Sequence, residues 1–237
     1  MSVAVHPSRA ARIRRLALVA AVAAIAVAVA AVVSSSGGSP APAVSPAQGG
    51  GAATDALFTG LEEHGGVLGA PDAPVTVTEF ADLQCPVCAE AARRTLPQLI
   101  RDRVRTGEVK LDARLLQFIG PDSVRAAQVA AGARAQGRLW PFLAAFYAAQ
   151  GQENTGYATD GFLRDVAAAA GTDAGRALEY ATTADAQDAL NQANADAQTH
   201  GVDSTPTFLV TGPSGRTRVV AGHDPAALTA AIRAATR

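Results

Sequence analysis

Two sulfurs three positions apart are the most reactive groups in this chain. Cys85 and Cys88, in Cys85-Pro86-Val87-Cys88, are its only cysteines. Thiolates can hold a structural bridge, ligate a metal, or cycle between dithiol and disulfide. A bridge closing so short a loop removes little entropy from the unfolded chain and stabilises poorly. A zinc site needs two more Cys or His ligands at matching spacing, and His6, His64, His200 and His223 are scattered and unpaired. No metal or other cofactor is expected, which leaves redox exchange.

The flanking sequence suits that chemistry. Val75 to Phe80 is a β-branched run behind Pro74 and reads as a strand, while the pattern from Cys85 to about Arg105 is helical with Pro86 just inside its start. Cys85 then stands at a helix N-terminus, where unpaired N–H groups and the macrodipole favour a thiolate. It reads as the exposed nucleophile, and Cys88, one turn in, as the shielded resolving thiol. A Cys85 titrating at ~4 rather than ~8.5 would favour the reduced form by about 4 kcal/mol at pH 7, or roughly 90 mV toward oxidant.

Two further positions could serve the sulfurs. Strand alternation puts Glu79 on one face with Val75 and Val77, so its carboxyl continues an apolar row. Buried there it would hold its proton and could relay it to Cys88; at the strand's end it would simply be solvated. Asp82 has no such facial argument and reads as a loop acid. Pro206, in Ser204-Thr205-Pro206-Thr207, is either a strand-edge marker or a cis proline in a tight turn.

The elements that must hold these groups follow in a legible order. Asp55–His64 reads as a short helix or lead-in, Val109–Ile119 as a second strand, and about Ser123–His200 as an alanine-rich helical stretch broken at Gly137, Gly151–Gly156 and Gly171. Thr207–Thr211 and Thr217–Ala221 form two more strands around Gly212-Pro213-Ser214-Gly215, and Pro225–Ala235 closes as a helix. The order is β-α-β, a block of helices, then β-β-α. Trp140, Phe142, Phe146 and Tyr147 have the spacing of core aromatics, and Arg93-Arg94 that of a solvated helix face.

Upstream, the chain divides by composition. Residues 1–15 form a basic segment expected on the cytoplasmic side. Leu16–Val33 is an unbroken apolar run, about 27 Å long as a helix at ~1.5 Å per residue. It reads as a transmembrane anchor, with a cleaved signal segment the alternative, and its arginine flank puts the rest of the chain outside the cytoplasm. Residues 34–53, Gly/Ser/Pro/Ala-rich, read as a flexible linker of roughly 25 Å. The remaining domain is residues 54–237. Of 20 basic and 21 acidic residues, four arginines precede Leu16 with no acid, so the rest carries a net charge of −5. Nucleic acid has no basic face to find there.

Taken together, these segments resemble the DsbA-like branch of the thioredoxin superfamily in its membrane-tethered or secreted bacterial form. The likeness is carried by Val67–Pro74 leading into Val75–Phe80 and Cys85–Cys88, by Ala126–Phe146 with Gly137-Arg138-Leu139-Trp140, and by Gly201–Gly212. It implies an α/β thioredoxin fold with an all-helical insertion at about 122–200. It also implies Cys85 as nucleophile, Cys88 as resolving thiol, Glu79 as the buried acid, and Pro206 as a cis proline facing the cysteines. Thr205 would offer backbone hydrogen bonds to an extended substrate, beside Pro86 and Val87. Two departures stand out: Pro86-Val87 lacks the histidine of some strong oxidases, and Pro141 follows Trp140 where relatives often have a polar residue.

The expected activity is extracytoplasmic thiol–disulfide exchange, donating disulfides to cysteine-containing exported proteins. A membrane partner, DsbB-like or a vitamin K epoxide reductase homologue, would reoxidise the pair. A reductant or isomerase of the same fold is the nearest rival. A non-catalytic, envelope-tethered binding module is the rival of another class, and it would need neither cysteine.

Overall fold

The computed structural model describes residues 56–236; the basic segment, the apolar run at 16–33 and the linker at 34–53 lie outside the described residues. Among the described residues, no helix is long and apolar enough to cross a membrane.

Six strands form one sheet: β1 (Glu63–His64), β2 (Val67–Leu68), β3 (Val75–Ala81), β4 (Val109–Leu115), β5 (Thr207–Thr211) and β6 (Thr217–Ala221). Their spatial order is β1-β2-β4-β3-β5-β6. β3 and β4 run parallel, joined by helix α1 (Pro86–Leu99), and every other pairing is antiparallel. β3 is thus central, and its two faces differ. Val75, Val77 and Glu79 share the face that joins the main core, while Phe80 belongs to a smaller cluster with Leu116, Ala193, Ala197, Val202 and Leu209.

α1 begins where its sequence allows. Cys85 is the N-cap in extended conformation and Pro86 follows in the first turn. Its buried positions include Cys88, Ala89, Ala91, Leu96 and Leu99, one face at helical spacing. Pro97 lies within it, and a π-helical turn, Ile100–Val104, ends it.

Between β4 and β5, five helices are described: α2 (Pro121–Ala135), α3 (Leu139–Ala148), α4 (Asp160–Ala169), α5 (Ala174–Tyr180) and α6 (Ala184–Thr199). Thr159, Asp173 and Thr183 cap α4, α5 and α6 by accepting from backbone N–H groups. Alanine is abundant here because the helices approach closely. A Cβ added at Gly132 of α2 would collide with the Ala177 backbone of α5. Trp140, Phe142, Phe146 and Tyr147 are all buried, as their spacing implies. α7 (Pro225–Ala235), capped by Asp224, closes the fold.

Two sequence readings need correction. Of the short helix or lead-in read over Asp55–His64, Ala56–Phe58 is helical, but Glu63 and His64 pair with Leu68 and Val67 as a β1–β2 hairpin. β4 stops at Leu115, where its parallel pairing with Ala81 ends, although the alternating pattern runs to Ile119. Asp82 lies in a loop, as read, and is fully buried there for reasons that belong to the site.

Candidate active site

Cys85 and Cys88 are both free thiols at the start of α1. Cys85 is less open than the sequence implies, with 6% of its surface accessible. The reason is the segment before β5: Thr205 turns its carbonyl onto the Cys85 Sγ at 3.4 Å, and the Thr205–Pro206 peptide bond is cis. Pro86 and Val87 stay exposed beside it, Val87 at 42%. Cys88 is wholly buried behind them.

The environment separates the two sulfurs. Cys85 is lowered from 9.0 to about 6, chiefly by a hydrogen bond from the Cys88 thiol, with the Thr205 side chain and the backbone N–H groups of Cys88 and Val87 adding to it against the cost of burial. Cys88 is driven far upward by burial first, then by its bond to Cys85 and by the charge of Glu79. One sulfur is an anion at neutral pH and the other keeps its proton. A value near 6 biases the pair less toward oxidant than one of ~4 would.

Glu79 is 1% exposed, at the end of the β3 row. Neither carboxyl oxygen has a hydrogen-bond partner among the described residues. Burial, reinforced by the Cys85 charge, raises it to about 8. A carboxyl there is an acid at pH 7, within electrostatic reach of both sulfurs.

The structure brings Glu79, Cys85, Pro86, Val87, Cys88, Thr205 and Pro206 to one end of the sheet. It also brings residues that the sequence reading passed over. Asp82 accepts from Gln84 N at 2.8 Å, Ser123 Oγ at 2.6 Å and Ile119 N at 3.1 Å. Tyr147 Oη donates to the Asp82 carbonyl at 3.2 Å. Gln150 Nε2 donates to the carbonyls of Leu83, at 2.7 Å, and Cys85, at 3.2 Å. Of these, only the Asp82–Gln84 bond spans two residues and has a local signature, that of an Asx turn. The others join positions 37 to 67 residues apart. No group of three His, Cys, Asp or Glu side chains suited to a metal occurs among the described residues.

A parallel β3–α1–β4 unit, an antiparallel β5–β6 hairpin against it, and paired cysteines facing a cis proline define a thioredoxin-fold protein of the DsbA-like type. A thioredoxin family model matches residues 62–233, and the chain belongs to that family. Over 101 residues it is 34% identical to a probable disulfide bond formation protein D of Bacillus anthracis, covering 42% of this chain and 46% of that one, so the match spans just under half of the relative's length. The oxidised crystal structure of BdbD from Bacillus subtilis superposes with a TM-score of 0.64 at 24% identity, over 73% of this chain and 95% of that one. Pseudomonas aeruginosa DsbA2 does so with a TM-score of 0.56 at 25% identity, over 73% and 95%.

Proposed function

We propose that this protein is a thiol–disulfide oxidoreductase that donates disulfides to exported proteins outside the cytoplasm. The observation that carries the reading is the contrast at one helix start. Cys85 is stabilised as an anion, chiefly by the Cys88 thiol, and Cys88, three residues on, is buried and protonated. The similarity to disulfide bond formation protein D supports the same direction of exchange.

In the oxidised pair, a substrate thiolate attacks Cys85 Sγ. The Cys85–Cys88 bond breaks, the bond between substrate and Cys85 forms, and Cys88 leaves with the electron pair. A buried thiolate is costly there, so Cys88 takes a proton, and Glu79, raised to about 8 and within electrostatic reach, would supply it. A second substrate thiolate attacks the substrate's own sulfur in the mixed disulfide and expels Cys85 as a stabilised thiolate. The substrate leaves with a disulfide, and the protein holds two electrons as a dithiol. An extended substrate segment would lie along Thr205 and Pro206, touching the exposed Pro86 and Val87.

The apolar run at 16–33 would hold the domain at the membrane, with residues 34–53 as its leash. The dithiol would then lie near a membrane oxidase, DsbB-like or of the vitamin K epoxide reductase type, that takes the electrons away.

The test is the equilibrium redox potential of the pair, read by thiol alkylation across glutathione buffers. A value toward about −120 mV supports donation, whereas one near about −270 mV makes the protein a reductant that needs electrons from elsewhere. Cys88→Ala should trap exported substrates in mixed disulfides on Cys85. A double Cys85→Ala, Cys88→Ala variant that retained full function in cells would favour the binding-module reading instead.

A further inference from the structure

The turn that delivers the nucleophile, residues 82–85, is neither strand nor helix. Side chains from the helical insertion determine its shape. Gln150, just past the end of α3, straddles it with one amide: Nε2 donates to Leu83 O on one side of Gln84 and to Cys85 O on the other. The Cys85 carbonyl also receives the first bond of α1, from Ala89 N at 3.1 Å, so Gln150 grips the helix at its cap. The Gln84 side chain between these grips is held as well. Its Oε1 accepts from Asn154 N at 2.7 Å, and its Nε2 donates to Ser123 Oγ at 3.0 Å and Asn154 Oδ1 at 3.5 Å. Asn154 has φ +56°, in the left-handed region, which an asparagine tolerates better than most residues. There it turns both its N–H and its side chain toward Gln84.

The Cys85 carbonyl is the first acceptor of α1, so a grip on it holds the first turn of that helix in place beside the sulfur. Cys85 has no side-chain cap of its own to do so. Released from Gln150, the cap can rotate about the Leu83–Cys85 peptides, and the N–H groups of Val87 and Cys88 lose their aim.

We propose that Gln150, with Asn154 behind it, is a positioning residue for Cys85, holding the preceding turn in the orientation that points the α1 N–H groups at the nucleophilic sulfur. The insertion thereby sets the reactivity of a cysteine on the thioredoxin sheet. The inference rests on Cys85 being the nucleophile, which the unaltered protein tests separately.

The experiment is the pH dependence of iodoacetamide alkylation of Cys85 in the reduced full chain. Gln150→Met, similar in shape but without the donor, is compared with Gln136→Ala. Gln136 ties α2 to Asp173 and touches nothing in residues 82–85. Gln150→Met should move the inflection upward by about one unit, slowing alkylation at pH 6 roughly fivefold. Gln136→Ala should lower the melting temperature and leave the inflection in place. An unchanged inflection in Gln150→Met, or an equal shift in Gln136→Ala, would overturn the proposal. Should Gln150→Met not fold, Gln150→Ala, which removes the same two donor bonds and adds no bulk, is judged by the same shift. If the unaltered protein lacks a low inflection, it is the reading of Cys85 itself that fails.

Discussion

Glu79 and Cys85 titrate in opposite senses, and each leaves its own signature. Glu79 is raised, to about 8, so the folded protein holds a proton there that the unfolded chain gives up above about 4.5. Its contribution is fully present below the unfolded value and is lost as pH rises through the folded one. Reduced protein should therefore lose stability between pH 5 and 8 by of order 4 kcal/mol from this group. Glu79→Leu should abolish that slope in urea titrations while slowing the release of Cys88. Cys85 is lowered, to about 6, so direct alkylation should show an inflection near that pH, with Cys88 unreactive across the range. Pairing the cysteines needed only local pattern, whereas strand face left Glu79 either buried or solvated and Pro206 either an edge marker or cis, and the family resemblance chose between them. Burial of Asp82 did not follow from local pattern, because it depends on Ser123 and Ile119 arriving from the far side of β4.

At the scale of elements, the insertion is fastened by contacts that span the chain. Glu63 of β1 accepts from Leu139 N at 2.6 Å and Trp140 N at 3.1 Å, capping α3 from an edge strand of the sheet. Trp140 Nε1 donates to Gly66 O in the turn after β1, and Arg134 reaches Gly65 O. Glu63→Ala frees two buried N–H groups and should cost about 1–2 kcal/mol in denaturant unfolding. Gly132→Ala should cost more, because the Ala177 backbone of α5 cannot give way as a flexible side chain can. Four helical segments were visible in the alanine-rich block because glycines punctuate it at three places, whereas the break between α5 and α6, at residues 181–183, has no glycine and was not visible. The hairpin at 63–68 was not either, since two-residue strands carry no periodicity and exist only where β4 offers an edge. The π-helical turn after Leu99 has no sequence signal beyond Pro97 one turn earlier.

For the molecule as a whole, the two redox states should differ in stability. The lowered Cys85 contributes to the reduced form alone, fully above the unfolded value near 9, and the contribution is lost as pH falls through about 6. Reduced protein should melt above oxidised protein at pH 7.5, with the gap closing toward pH 5 in paired calorimetric scans. Glu79 is present in both states and largely drops out of that difference. The core that supports this contrast is continuous, running from β3 and α1 into α2, α3 and α4. The overall fold could be anticipated because the order of its elements is written linearly, whereas the contacts between sheet and insertion are not.

Thr205, whose carbonyl lies on the Cys85 sulfur, follows it by 120 residues. A ribosome adding roughly 5–20 residues per second finishes both cysteines on the order of ten seconds before it makes their cover. Strand β5, which completes one side of β3, comes later still. During that interval the growing chain has the sulfurs of the finished protein without their wall, and every new copy passes through a stage at which its own cysteines are open to exchange.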